Sequence, residues 1–335
     1  MKKNSECYNV AVLATMSSGK STTLNAMFGS SILPSKNEAC TATIFRVEDV
    51  DGMKKIKVRS TCNQNITSEW EVLKLNDNII DSWNNLNHKQ IDIIGDLPRI
   101  DNLSKRIVFH DTPGPNNSTE KSHSEIANSI FENGQIGCII CVLNVSCFGV
   151  DDEKALLVDL LNKTKNKEIG AKIVFVVNKI DQLDLEAGED PLIILENITK
   201  YLTDLGFVDP LVIPVMSLVS LEIRLYIDFL RKKYRFPSFM AGIRKTKNPF
   251  SERKQKQILN NIKYLLEFDS YYSKALCSCS NKESVYKNMD YSIKGLKEKQ
   301  KIKILDEIHT VSDFINADII TGIPILEKIL EKELI

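Results

Sequence analysis

Residues 14–22 read Ala14-Thr15-Met16-Ser17-Ser18-Gly19-Lys20-Ser21-Thr22, and the reading of this stretch decides the fold. It follows the apolar run from Tyr8 to Leu13 and precedes residues that can form a helix from Lys20 to Phe28. A strand that passes into a helix N-terminus through a short polar loop suits a phosphate. Successive backbone N–H groups, the Lys20 ammonium and the positive end of the helix converge on it. In this reading Ser18, Gly19, Lys20, Ser21 and Thr22 hold a polyphosphate, and the Ser21 hydroxyl is placed for a bound Mg²⁺. The usual first glycine of G-x-x-x-x-G-K-[ST] is Ala14 here, tolerable if its φ stays negative.

Outward from this loop, the chain alternates apolar strands with helices. Strands are expected at Arg106–His110, Gly137–Val145, Lys172–Val177 and Leu211–Met216, with helices near 124–131, 153–161 and 192–205 between them. Continuous apolar strands separated by helices indicate an α/β fold, a mainly parallel central sheet covered on both faces, with the chemistry at the C-terminal strand ends. Two further motifs stand at such ends. Asp111-Thr112-Pro113-Gly114 places a carboxylate for Mg²⁺ and the Gly114 N–H for a terminal phosphate. Asn178-Lys179-Ile180-Asp181 places the Asp181 carboxylate to accept from the ring N–H and the exocyclic amine of guanine, donors that adenine lacks. Asn178 would bind the base edge and brace the loop, and the stem of Lys179 would cover the ring. Ser217, after the last strand, lies where a base-contacting loop belongs. Thr41, 21 residues beyond Lys20, can complete the Mg²⁺ shell and orient a water through its carbonyl, with Thr43 as its competitor. The metal set is thus Ser21, Thr41 and Asp111, and the nucleotide is GTP or GDP.

The remaining segments are read from spacing. Thr41–Val50 and Lys54–Ser60 flank Asp51-Gly52 as a hairpin. Residues 67–94 have helical spacing, with Trp70 and Trp83 assigned to the core. Helices are expected at 218–235, 252–272 and 283–316, and an amphipathic one from Thr321 to the end. Ten basic residues lie between Arg231 and Lys256, with only Glu252 of that stretch to oppose them. The domain reading is a core over 1–222, a helical, partly basic insertion over 223–318, and a closing helix over 319–335 that packs on the core.

Forty-four basic and forty-four acidic residues among 335 give a net charge of zero, so nothing global points to nucleic acid. The start, MKKNSECYN, lacks the apolar stretch of a signal peptide, and no segment is long enough to span a bilayer. The expected location is cytoplasmic or peripheral to the membrane. Cys138 and Cys141 fall inside an apolar strand, which suits buried thiols. Cys277 and Cys279 have no histidine or second cysteine pair near them for zinc.

The stretches MSSGKSTTLNAMFG, ILPSKNEACTATIFRV, VFHDTPGPN, VVNKID and TGIPILEKILEKEL resemble the dynamin family of large GTPases, in particular bacterial dynamin-like proteins. The resemblance implies a P-loop GTPase domain that hydrolyses GTP to GDP and phosphate with Mg²⁺. It makes Thr41 the switch I threonine, 111–114 switch II and 178–181 the guanine-specificity loop. It gives Ser17, with Lys20 and Thr41, a catalytic role: Ser17 would stabilise the β–γ bridging oxygen and coordinate a monovalent cation, K⁺ or Na⁺, in place of an arginine finger, with Asp152 completing that cation site. Met16 stands where eukaryotic dynamins often have glutamine. The resemblance also implies nucleotide-dependent homodimers or pairing with a second dynamin-like protein, and peripheral contact with anionic membrane. A GTP-controlled interaction module with little hydrolysis is the other reading left open.

Overall fold

Uninterrupted apolar runs make the centre of the molecule. The computed structural model describes residues 7–34, 43–53, 55–62, 67–72, 88–96, 105–111, 136–165, 171–235, 248–279 and 297–333. Its strands are β1 (Cys7–Ala14), β2 (Ile44–Asp49), β3 (Lys57–Cys62), β4 (Glu71–Val72), β5 (His88–Gly95), β6 (Arg106–Asp111), β7 (Ile136–Asn144), β8 (Lys172–Asn178) and β9 (Leu211–Val215). They form one sheet in the order β4-β3-β5-β2-β6-β1-β7-β8-β9. Its β6-β1-β7-β8-β9 portion is parallel throughout, and β2 runs antiparallel to β6 and parallel to β5.

The period of two along each strand sorts side chains to two cores. In β7, Ile139, Cys141 and Leu143 join one hydrophobic cluster, while Cys138, Ile140 and Val142 join the other. The second cluster is closed by α1 (Lys20–Phe28) and the C-terminal α8 (Ile323–Glu333); the first by α2 (Asp151–Lys165), α3 (Pro191–Leu205) and much of α4 (Ser217–Arg235). Burial pushes the Cys138 thiol up to about 12 and raises that of Cys141 as well, so this pair behaves as apolar filling. Helix boundaries follow local chemistry. Asp190 caps α3 by accepting the Leu192 N–H at 2.8 Å, Pro191 opens the helix, and Gly206 at φ 111° ends it.

Beyond α4 a helical lobe contributes α5 (Glu252–Glu267), α6 (Asp269–Cys279), a hairpin of β10 (Lys301–Ile304) and β11 (Glu307–Thr310), and α7 (Val311–Ile320). Ile258, Ile262, Tyr272, Ile302 and Phe314 of this lobe belong to the same cluster as the α2–α3 face, so lobe and sheet share a core. Arg224 of α4, fully buried, joins the parts. Its guanidinium donates to Asp318 of α7 at 2.9 and 3.1 Å, to Glu327 of α8 at 2.5 and 3.0 Å, and to the Ala26 carbonyl of α1 at 2.7 Å.

Several expectations are corrected. The segment read as helical from 67 to 94 contains β4 and β5, because Ile91 and Ile93 alternate with Asp92, whose carboxylate meets Arg59 of β3 at 2.7 Å. β5 lies between β2 and β3, so those two strands do not pair as a hairpin although the turn at Asp51-Gly52 is present. Trp70 is 36% exposed and lies under the Arg59 guanidinium at 4.5 Å, not in the core; Trp83 falls outside the described residues. The helix expected over 283–316 is replaced from Lys301 by the hairpin, where Ile302 and Ile304 face inward between lysines. The segment 223–318 is therefore not wholly helical. The helix expected at 252–272 divides at Phe268, and α8 begins after a turn at Thr321-Gly322. The expected helix at 124–131 lies outside the described residues. No helix among the described residues is long and apolar enough to cross a membrane.

Candidate functional site

The loop from β1 to α1 turns on two left-handed residues, Ser17 at φ 63° and Gly19 at φ 90°. Ala14 keeps the extended backbone of β1 and buries its methyl in the core, so the missing first glycine costs no backbone strain. Gly19 is required twice over, since a Cβ there would lie 2.3 Å from Asn178 Nδ2 in addition to the unfavourable φ. Lys20, Ser21 and Thr22 form the first turn of α1, which carries no side-chain cap and no acidic residue, leaving its N–H groups directed outward for an anion. Met16 and Ser17 are exposed at the rim, while Ser18 is buried with its hydroxyl 2.7 Å from that of Thr15.

Asp111, the last residue of β6, is brought beside β1 by the parallel pairing of those strands. Its carboxylate takes an ion pair from Lys20 Nζ on one oxygen and accepts from Ser21 Oγ at 3.3 Å on the other. Burial pulls the Lys20 ammonium down to about 7. An anionic ligand at this loop would favour its charged form. Ser21 and Asp111 offer hard oxygen donors, the set that suits Mg²⁺. Thr41 and Gly114 lie outside the described residues. Thr43 is described: its hydroxyl donates to the His88 carbonyl at 2.8 Å and ties β2 to β5.

The third motif joins the first through Asn178, at the end of β8 and buried. Its Nδ2 donates to the Ser18 carbonyl at 2.8 Å, and its Oδ1 accepts the Ser217 N–H at 3.1 Å. One amide thereby links the β1–α1 loop, the 178–181 loop and the start of α4. Lys179 adopts φ 68°, a strained conformation of the kind kept at functional turns, and Asp181 follows in a short 3-10 turn. Burial raises the Asp181 carboxyl, opposed by its own backbone N–H and by Lys179. Ser217 is 1% exposed; its hydroxyl lies 2.8 Å from that of Thr23. Its contacts are bracing ones, and the exposed neighbour at that loop is Leu218. Thr23 also donates to the Gly19 carbonyl at 3.0 Å. Sequence reading missed this buried threonine, for which the repeated Thr22-Thr23 after Ser21 gave only a weak signal. Asp152 is exposed in the first turn of α2, with no contact to Ser17 among the described residues.

A model of the dynamin family matches residues 10–180, just over half of the chain. An uncharacterised protein from the xynA 3′ region of Caldicellulosiruptor sp. (strain Rt8B.4) is 25% identical over 221 residues, covering 66% of this chain and 52% of the relative. Among solved structures, that of an oligomerised bacterial dynamin pair, described as a mechanism for long-range sensing and tethering of membranes, superposes with TM-score 0.50 at 18% identity. It covers 84% of this chain and 44% of the solved one. A second structure of such a pair gives TM-score 0.47 at 17% identity, over 85% and 44% of the two chains. The chain spans about half the length of these relatives.

Proposed function

The chain belongs to the dynamin family, and from that membership we propose that it is a GTPase, converting GTP and water to GDP and phosphate. The observation that carries this reading is the convergence of Lys20 and Ser21 on Asp111, in a loop that Asn178 ties to the guanine-reading turn. The backbone N–H groups at the start of α1 and the Lys20 ammonium hold the β- and γ-phosphates. Asp181 accepts two hydrogen bonds from guanine. Ser21, Asp111 and Thr41 hold Mg²⁺, which when bound neutralises charge on the phosphate oxygens. The Thr41 carbonyl orients the attacking water, and no side-chain base is required where positioning and charge stabilisation dominate. Ser17, on its left-handed backbone at the rim, is assigned to the bridging oxygen and to a monovalent cation, K⁺ or Na⁺. Pairing through this face, with a second copy or a second dynamin-like chain, would cover the exposed Met16. Anionic membrane is the proposed surface that such assemblies approach.

Titration with GTP and ATP tests the assignment: tight binding of GTP alone is expected, together with its loss in K20A. Equal affinity for the two nucleotides would sink the guanine reading. Met16, 65% exposed and without a polar group, favours the second reading, a GTP-controlled interaction module with little hydrolysis. Single-turnover phosphate release across protein concentrations, with and without K⁺ and anionic liposomes, separates the two. Release that rises with concentration supports the paired enzyme, and no release under any condition supports the module.

A further inference from the structure

Four hydrogen bonds close a ring between the β1–α1 loop and the start of α4. Asn178 Nδ2 donates to the Ser18 carbonyl at 2.8 Å, and Asn178 Oδ1 accepts the Ser217 N–H at 3.1 Å. The Ser217 and Thr23 hydroxyls lie 2.8 Å apart, and Thr23 donates to the Gly19 carbonyl at 3.0 Å. The ring therefore leaves the loop at one carbonyl and returns to it at the next. Thr23, Asn178 and Ser217 are all buried.

Proton counting fixes the direction of the hydroxyl pair. Thr23 has one hydroxyl hydrogen and gives it to Gly19, so Ser217 must donate to Thr23. A threonine that bonds back to the carbonyl four residues earlier is ordinary in a helix. What sets Thr23 apart is that the same oxygen accepts from Ser217, whose backbone N–H holds the amide at the head of the 178–181 turn. A second link joins α1 to α4, from Arg224 to the Ala26 carbonyl, three residues further along α1. The Thr23–Ser217 link is the one nearer the β1–α1 loop.

We propose that Thr23 is a positioning residue for guanine recognition: by accepting the Ser217 hydroxyl it fixes the start of α4, and through Asn178 the base-reading turn, relative to the loop that holds the phosphates. The inference rests on reading Asp181 as the guanine acceptor. Thr23 acts from behind the loop, without touching nucleotide. Valine there keeps the shape but strands the Ser217 donor in a dry place, which favours a shift of α4 that frees that hydroxyl. The phosphates are then held as before, while the base is read only by the fraction of molecules that keep the ring, and affinity falls with that fraction.

The test is titration of the full chain with methylanthraniloyl-GDP, beside thermal unfolding. T23V is expected to weaken binding about 5- to 50-fold, within the range that one stranded buried hydroxyl supplies. S217A breaks the same link but strands nothing, because Thr23 keeps the Gly19 carbonyl. It is expected to cost about 2- to 10-fold, and T23V/S217A to match S217A rather than T23V. T23S keeps the hydroxyl and gives up a buried methyl, so it is expected to unfold at a lower temperature yet bind GDP within about threefold of the unmodified chain. In a D181N background, where guanine no longer finds two acceptors on one carboxylate, adding T23V is expected to change GDP affinity less than about twofold. Unchanged GDP binding in T23V or in S217A overturns the proposal. So does T23S that binds as weakly as T23V, or a T23V loss of equal size in the D181N background, because either marks Thr23 as packing for α1 alone. D181N that binds GDP as before sinks the reading of Asp181 itself, a result separable from all of these.

Discussion

Gly19 is where backbone geometry and loop assembly meet. Alanine there must hold φ 90° and push against the Asn178 amide. G19A is therefore expected to lose nucleotide binding while the sheet stays folded, as measured by GDP titration beside far-UV circular dichroism. N178A leaves the Ser18 carbonyl and the Ser217 N–H without their side-chain partner. The cost is about 1–3 kcal/mol, or roughly 5- to 150-fold in affinity if it falls on the bound conformation. A different residue sets pH dependence. Glu153, in the first turn of α2, is 1% exposed and accepts the Gly149 N–H at 3.2 Å, and burial pushes its carboxyl up to about 7. Between the ordinary carboxylate value and about 7 the folded state holds a proton that the unfolded chain has released. Stability therefore falls as pH rises through that window, by at most about 1.4 kcal/mol per pH unit, and levels off above it. E153Q removes the slope and is expected to be the more stable form at about pH 8, read from urea midpoints across the window.

At the scale of elements, the turn between α7 and α8 carries more than its length suggests. Thr321 offers its carbonyl to the Met216 N–H at 2.8 Å, and Gly322 at φ 79° passes so close to β9 that a Cβ would lie 2.0 Å from the Pro214 carbonyl oxygen. G322A must displace either the turn or the end of β9, and Ser217 lies two residues beyond that strand. A lower thermal midpoint together with weaker GDP binding is expected; full GDP affinity in a destabilised G322A would show the turn to be independent of the base loops. The sequence made β1, β7 and β8 plain because strands buried on both faces are apolar without interruption, and residues 14–19 and 178–181 stand out because they follow β1 and β8. It hid β5, whose Ile91 and Ile93 sit in a region where Trp70, Leu73 and Ile80 imitate helical spacing. It hid β10 and β11 because lysine alternating with isoleucine over the four residues of β10, and Glu-Ile-His-Thr in β11, are too short to outweigh a longer helical pattern. The bracing pairs Thr23–Ser217 and Asn178–Ser18 span 194 and 160 residues, separations that no local pattern reports.

For the whole molecule, four of the described basic side chains between Arg231 and Lys256 have acidic partners. Arg231 and Lys232 meet Asp228, Lys254 meets Glu222, and Lys256 meets Glu252, so partners come from α4 as well as from the stretch itself. What unifies sheet, lobe and C-terminal helix is Arg224, which satisfies two buried carboxylates and the carbonyl of Ala26 near the end of α1. Buried ion pairs of this kind add little net stability over apolar residues of the same volume, yet removing one partner strands the others. R224M takes the guanidinium bonds from both Asp318 and Glu327, for an expected loss of about 3–5 kcal/mol. Because the other end of α1 carries Lys20 and Ser21, GDP affinity is expected to fall in the same variant even at low urea, where the chain is still folded. Combining R224M with D318N and E327Q removes the two buried carboxylate charges as well, and much of the lost stability is expected to return. GDP affinity should not return with it, since the Ala26 carbonyl still lacks the Arg224 guanidinium and keeps the Gly29 N–H at 3.0 Å. Urea unfolding and GDP titration on the two variants check both halves of this expectation, and parallel recovery of stability and affinity would show that Arg224 acts on the nucleotide loop through charge alone.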